Sequence, residues 1–322
     1  ADILPAEAHW LEAKRRCLLD LFNVHGYQLV MPPLLEYVDS LLTEFDQGID
    51  LKTSKLVDQL TGRQLGLRAD MTPQVARIEA HQMHEEGVSR LCYAGSVAHT
   101  LPSGLMSSRE PFVVGAELFG IADSVADIEA LQLLALALQG VGLGQFHVDL
   151  GHLGIVRALL QEAQLEPRAC QVLFTALQAK DKSAVREVTA DLPETLQNAF
   201  LALPDLYGDA TVLARAKQTL PMLPAISQAL DVLQSIVNTL GHRLAFTVDL
   251  AEVQVGNYHS GLVFTSYADG WANAIAHGGR YDGVCAQFGR NRPAVGFSLD
   301  LRELWRVLPS PAHNVGILAP YV

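Results

Sequence analysis

The segment YAGSVAHTLPSGLMSSREPFVVGAELFG, residues 93–120, joins two apolar stretches through a loop of small residues. Its pattern predicts two strands, near residues 90–97 and 111–119. Glycine and serine let a loop close over a ligand, but holding a polyphosphate also requires guanidinium or ammonium donors. The segment contains a single arginine, Arg109, and no lysine. It therefore predicts a binding protein rather than a protein that grips a nucleotide.

The rest of the chain predicts mainly consecutive strands with separate helices. Further strand patterns fall at residues 27–31, 64–68, 145–150, 244–250, 258–267 and 294–299. Helical spacing marks residues 6–25, 72–87, 127–138 and 300–307. Residues 152–240 are almost continuously helical in pattern and are interrupted by prolines, which indicates an inserted helical module. The fold class expected is α+β, with a mostly antiparallel sheet flanked by helices.

Composition limits the possible partners. The formal net charge is −12, and nonspecific nucleic-acid binding depends on Lys and Arg, so we expect no nucleic-acid partner. The four cysteines are far apart and form no C-x-x-C pair, so we expect no metal site and no disulfide framework. We found neither a signal-peptide pattern nor an apolar run of membrane-spanning length. The sequence therefore predicts a cytoplasmic protein with no membrane association and no cofactor.

Several separated segments occur in the order found in one protein family. They are GYQLVMPPLLEY (26–37), LGLRADMTPQVAR (65–77), residues 93–120 followed by DIEAL (127–131), NYHSGLVF (257–264), GGRYDG (278–283) and AVGFSLDL (294–301). Together they resemble the catalytic core of histidyl-tRNA synthetase. The resemblance implies a class II aminoacyl-tRNA synthetase fold for residues 1–155 plus 241–307, with 156–240 as a helical insertion and 308–322 as the start of a truncated C-terminal segment. Pro32-Pro33 matches the family's first motif at the dimer interface, which implies a homodimer.

The departures from that family concern its cations. His99 and Leu101 stand where the resemblance implies an arginine and a glutamate, Gln254 replaces a catalytic arginine, and Glu303 replaces an arginine of the third motif. One lost donor of this kind costs about 2.7–4 kcal/mol of transition-state stabilisation, so losing three would slow adenylate formation by several orders of magnitude. Arg302, next to Glu303 on a helix, would point elsewhere. We therefore expect no catalytic residues.

This pattern resembles the regulatory subunits of short-form ATP phosphoribosyltransferase, which are synthetase paralogues. The resemblance implies a chain that activates a separate short catalytic subunit in the first step of histidine biosynthesis and helps to mediate feedback inhibition by histidine. It also implies a hetero-oligomer, expected to be a hetero-octamer, with histidine as effector. The alternatives are a divergent histidyl-tRNA synthetase and another amino-acid-binding paralogue.

The same resemblance indicates a histidine-like pocket. Asp70 and Thr72 correspond to the residues that hold the amino group, although Asp70 is equally consistent with a helix cap. Glu117, at the end of an apolar strand, would bind the ligand's ring or form a structural ion pair. Arg109 would bind a ligand carboxylate, a partner's acid or Glu110.

The second half of the pocket comes from the later segments. Val113 replaces a glutamine that holds the ligand in the synthetase, and Arg280 and Asp282 are as consistent with a structural pair as with a ligand site. The predicted ligand-binding residues are Asp70, Thr72, Arg109, Glu117, Gln254, Tyr258, His259, Gly278, Gly279 and Tyr281.

Overall fold

The computed structural model describes residues 2–41, 47–83, 86–102, 107–252 and 258–309. Its helices are α1 (Pro5–Val24), α2 (Val38–Leu41), α3 (Gln47–Lys52), α4 (Thr72–Gln82), α5 (Ser124–Gly140), α6 (Leu153–Ala163), α7 (Pro167–Gln178), α8 (Lys182–Val188), α9 (Glu194–Ala202), α10 (Thr211–Thr219), α11 (Pro224–Leu240) and α12 (Leu301–Val307). Its strands are β1 (Gln28–Leu29), β2 (Leu35–Tyr37), β3 (Ser54–Val57), β4 (Gln64–Leu67), β5 (Ser89–Ser96), β6 (Phe112–Phe119), β7 (Phe146–His152), β8 (Tyr207–Gly208), β9 (Ala245–Asp249), β10 (Leu262–Ala268), β11 (Ala276–Arg280) and β12 (Ala294–Asp300). Predicted residues Gln254 and 310–322 lie outside the described part of the chain.

A nine-stranded sheet forms the centre of the molecule, in the order β1-β5-β6-β12-β11-β10-β7-β9-β8. Its pairs are antiparallel except β1 with β5 and β7 with β9. A smaller sheet has the order β2-β4-β3. The predicted α+β class, with a mostly antiparallel sheet flanked by helices, is confirmed.

Strand β6 shows how the sheet separates its two faces. Val114, Ala116 and Leu118 belong to the main apolar core, which also contains residues of α1 and α5. Because side chains alternate across a strand, Val113 and Glu117 lie on the opposite face. That face carries the cavity described below. The helical layer therefore supports one side of the sheet and leaves the other available for a site.

Three segments differ from the sequence expectation. β1 covers only residues 28–29 of the predicted 27–31, just before Pro32-Pro33, where proline supplies no backbone donor. The predicted strand 258–267 begins at Leu262, and Tyr258 and His259 instead line a cavity. The predicted insertion also contains β8, which pairs with β9 at the sheet edge.

Candidate functional site

A cavity of about 580 Å³ opens on the face of the sheet opposite α1 and α5. The segment before α4 contributes Asp70, β10 and β11 contribute Thr265 and His277, and the end of β12 with α12 contributes Asp300 and Glu303. Elements distant in sequence therefore converge here because the strand order places β6, β12, β11 and β10 side by side.

Glu117 lies in a cage of hydroxyl groups beside this cavity. Its Oε1 accepts hydrogen bonds from Thr72 Oγ1 (2.7 Å) and Tyr93 OH (3.0 Å), and its Oε2 accepts one from Tyr281 OH (2.6 Å). The side chain is 1% exposed, and this burial raises its pKa to about 8 although the three hydroxyls act in the opposite direction. A Cβ at Gly296, directly across the β6–β12 pair, would overlap Glu117 Oε2. The cage thus requires glycine at that position.

Asp70 links the cage to the cavity. Its Oδ2 accepts a hydrogen bond from Tyr258 OH (2.9 Å), and its Oδ1 accepts one from the backbone N–H of Thr72 (2.9 Å). One carboxylate oxygen of Asp70 thus accepts from the first residue of α4 and the other from a residue of the cavity lining, while a ligand contact of Asp70 stays a prediction. The ring of Tyr258 meets that of Tyr281 edge-on, with centroids 5.4 Å apart.

His259 supplies a buried neutral imidazole to the cavity lining. The residue is 6% exposed, and burial lowers its pKa to about 4. Its ring tilts against Tyr258 with centroids 4.9 Å apart. A Cβ at Gly279 would lie 2.6 Å from His259 Cδ2, and one at Gly278 would lie 2.6 Å from the Phe264 ring. The backbone carbonyls of Gly296 and Leu262 would lie nearer still to these two Cβ atoms, so both glycines make room for backbone as well as side chains, and neither is among the described lining residues.

The predicted residues divide into distinct groups. Asp70, Tyr258 and His259 line the cavity. Thr72, Glu117 and Tyr281 form the adjoining cage.

Arg109 is exposed and absent from the described cavity lining, and its Nε donates to His99 O (3.1 Å). The expected Arg280–Asp282 pair is present at 3.1 Å, and Arg280 also contacts buried Asp127 at 2.8 Å. Arg302 is directed towards Glu7 (3.7 Å) and the carbonyl of Glu110 (3.0 Å), as its helix position predicts.

The cavity lining also contains charged residues that sequence reasoning did not assign to a pocket. Lys52 is its single lysine or arginine among the described lining residues, whereas the carboxylates there are Asp70, Glu252, Asp300 and Glu303. Burial raises the pKa of Asp300 to about 6. Four acids facing one lysine would oppose binding of a polyphosphate. No local sequence signal identifies Lys52, because it reaches the cavity from α3.

The positions at which this chain departs from the synthetase motifs differ in their surroundings. His99 and Glu303 line the cavity, whereas Leu101 is 73% exposed. His99 Nε2 lies 3.0 Å from the carbonyl oxygen of Ala69. Glu303 Oε2 accepts from Trp271 Nε1 at 3.1 Å. Both lining residues are thus hydrogen-bonded within the chain.

A second hollow of about 530 Å³ lies between Ser124 and α11 and is largely open to solvent, so we assign no ligand to it. None of the helices in the described ranges is both long and apolar enough to cross a membrane.

Comparisons with known proteins agree with this geometry. The histidyl-tRNA synthetase family model matches residues 1–304. A crystal structure of an ATP phosphoribosyltransferase regulatory subunit/histidyl-tRNA synthetase from Bacillus halodurans is similar with a TM-score of 0.85 and 27% identity, over 96% of this chain and 81% of that one. A histidine–tRNA ligase subunit from Alicyclobacillus acidocaldarius has a TM-score of 0.76 and 25% identity, over 95% of both chains.

Curated relatives are more similar still. The ATP phosphoribosyltransferase regulatory subunit of Laribacter hongkongensis is 54% identical over 98% of this chain and 82% of its own length. That of Ralstonia pickettii is 52% identical over 100% of this chain and 83% of its own.

The fold and the cation-poor cavity thus define a histidyl-tRNA synthetase-like protein of class II architecture. At this level of identity, the chain belongs to the family of ATP phosphoribosyltransferase regulatory subunits. Its role is regulatory and noncatalytic, as the sequence predicted.

Proposed function

We propose that this chain binds and activates a short catalytic subunit of ATP phosphoribosyltransferase, and that its cavity binds free histidine to inhibit the complex. The names of the relatives support the partnership. The observation that carries the sensing role is the Asp70–Tyr258 pair, which lies between the cavity and the Glu117 cage.

The cavity lining matches the three polar parts of histidine. Asp70 offers a carboxylate to the ligand's ammonium group, and Lys52 offers an ammonium to its carboxylate. The aromatic rings of Tyr258 and His259 offer a surface to the imidazole. Val113, in the lining, supplies no hydrogen bond there, so we expect affinity below that of a synthetase for its amino acid.

The ligand-binding part of the proposal is tested by calorimetric titration of histidine into the chain alone and into the complex. We expect Asp70→Asn to weaken binding at least tenfold, because about 1.4 kcal/mol of charge-assisted bonding corresponds to a factor of ten. Asp191→Asn, at an exposed position of the insertion, is the matched control and should bind like the wild type. If the wild type shows no heat of binding in either form, the cavity is not a histidine sensor.

The activating role is tested by mixing the chain with a short-form catalytic subunit and measuring phosphoribosyl transfer. We expect the rate to rise on mixing and to fall when histidine is added. If the two proteins form no complex and the rate does not change, another amino-acid-binding role would be favoured. ATP–pyrophosphate exchange with histidine should be absent, and robust exchange would identify a synthetase.

The proposal includes a homodimer within a hetero-octamer, acting in the cytoplasm. The residues around Pro32-Pro33 support a dimer surface, because four large apolar side chains there are 44–82% exposed: Leu29, Met31, Leu34 and Leu35. Light-scattering masses of the chain alone and with the catalytic subunit test both assemblies. A monomer at micromolar concentration would contradict the dimer.

A further inference from the structure

Helix α6, in which the predicted insertion begins, is hydrogen-bonded to residues 259–260, and Tyr258 and His259 form one wall of the cavity. The Arg157 guanidinium donates through Nη2 to the carbonyl of His259 (2.6 Å) and through Nη1 to the carbonyl of Ser260 (3.0 Å). His259 and its neighbour Tyr258 both line the cavity. Arg157 therefore holds the backbone that carries two lining side chains, without lining the cavity itself.

A second contact joins the insertion to the same wall. Lys180 follows α7 in a left-handed conformation, with φ of +52°. Its Nζ lies 2.8 Å from Asp249 Oδ2 and 3.9 Å from the Tyr207 ring centroid. Asp249 Oδ1 accepts from the backbone N–H of Ala251 (3.0 Å), immediately before the lining residue Glu252.

Helix α7 also reaches the cavity directly, since Gln178 is among its lining residues. The insertion thus contacts residues 249–252 at one point and residues 258–260 at another. The chemistry of Arg157 suits this task, because a planar guanidinium can donate two directed hydrogen bonds to adjacent carbonyls and a lysine ammonium cannot present the same fork.

We propose that Arg157 is a positioning residue of the cavity, through which the helical insertion sets the affinity for histidine. It orients Tyr258 and His259 towards the ligand and does not touch the ligand. This inference rests on the proposed histidine-binding function. Without Arg157, the binding of histidine has to order the backbone of residues 258–260. The free energy of that ordering is subtracted from the binding free energy, so the affinity falls.

The test compares Arg157→Gln and Arg157→Lys with Arg186→Gln, a control at an exposed position on α8. Histidine affinity is measured by calorimetry. We expect about tenfold weaker binding for Arg157→Gln, which corresponds to one lost charge-assisted hydrogen bond. Arg157→Lys should recover part of the affinity, and Arg186→Gln should match the wild type. Wild-type affinity in a folded Arg157→Gln protein would overturn the proposal.

A ligand-independent measurement separates this inference from the proposed function. Hydrogen exchange of peptides covering residues 258–262 should accelerate in Arg157→Gln and stay unchanged in Arg186→Gln. Unchanged exchange in Arg157→Gln would refute positioning, whatever histidine does. If exchange accelerates but the wild type binds no histidine, the sensing function fails and Arg157 is left with a structural role only.

Thermal unfolding provides the remaining check. A purely structural Arg157 would lower the melting temperature without changing the affinity of the folded fraction. If Arg157→Gln does not fold, Arg157→Lys undergoes the same measurements, because it retains the charge and the aliphatic stem. Wild-type affinity and exchange in that variant would also overturn the proposal.

Discussion

Replacing Glu117 with glutamine should change how the stability of this protein depends on pH. Burial raises the pKa of Glu117 from 4.5 to about 8. The folded state therefore binds a proton that the unfolded chain has released between these values. The stabilisation linked to this proton is fully present below pH 4.5 and is lost as the pH rises through about 8.

The size of the effect follows from this difference in pKa. Each pH unit over which only the folded state is protonated changes the free energy of unfolding by 1.36 kcal/mol. Between pH 5 and pH 8, Glu117 should thus remove about 3–4 kcal/mol of stability, because the proton difference is incomplete near both pKa values. Glu117→Gln carries no titratable proton, so its stability lacks this contribution at every pH.

The assay is urea unfolding of both proteins, without ligand, at several pH values from 5 to 9. The quantity to compare is the free energy of unfolding of the wild type minus that of Glu117→Gln, which cancels the titration of the other groups. We expect this difference to fall by about 3–4 kcal/mol from pH 5 to pH 8. A constant difference, or one that rises with pH, would show that Glu117 is ionised in the folded protein and refute the reasoning.

Glu129 provides a control of opposite sign. Its hydrogen bonds to Arg90, at 2.7 and 2.9 Å, lower its pKa. The stabilisation linked to Glu129 is present above its unfolded pKa and is lost only as the pH falls below it. The corresponding difference for Glu129→Gln should therefore stay level from pH 6 to pH 9.

Three further predictions concern packing, a buried ion pair and the cavity. Gly278→Ala should cost about 1–3 kcal/mol in urea unfolding because its Cβ would clash with the backbone carbonyl of Gly296 and lie 2.6 Å from the Phe264 ring, whereas Gly283→Ala, with open space around its Cβ, should be nearly neutral. Asp127→Ala should cost about 1.5–3 kcal/mol by removing the nearer of the two carboxylates that contact buried Arg280, at 2.8 Å, and a loss below 1 kcal/mol would contradict this. Tyr258→Phe removes the hydrogen bond to Asp70 and should weaken histidine binding severalfold in calorimetry, so an unchanged affinity would place the ligand elsewhere.

Local patterns in the sequence predicted most of the helices and strands of the central sheet. The apolar run in residues 112–119 predicted β6, and the helical spacing from residue 127 predicted the main part of α5. Such patterns repeat every few residues, so they can be recognised without knowing what the segment packs against. The loss of a cation at His99, Gln254 and Glu303 could also be recognised in the sequence, because the residue type at each position is read there directly.

The partners of Glu117 were not predictable in this way. Thr72, Tyr93 and Tyr281 come from three different segments, and they meet because β6 pairs with β5 and β12 in one register. A shift of that register by one residue would turn Glu117 towards the opposite face. The sequence alone left both a ligand contact and an ion pair open for Glu117, and the three hydroxyls that bind its carboxylate became apparent only in the structure.

The sequence by itself determined the kind of protein, because the family motifs and the missing cations are properties of individual residues and short segments. Only the tertiary structure decided which side chains share the cavity. Arg109, the single cation of residues 93–120, is absent from the described cavity lining, and Lys52 enters it from α3. Arg157 reaches the cavity wall across 102 residues of chain, a contact that depends on how the insertion packs on the sheet and on no local pattern.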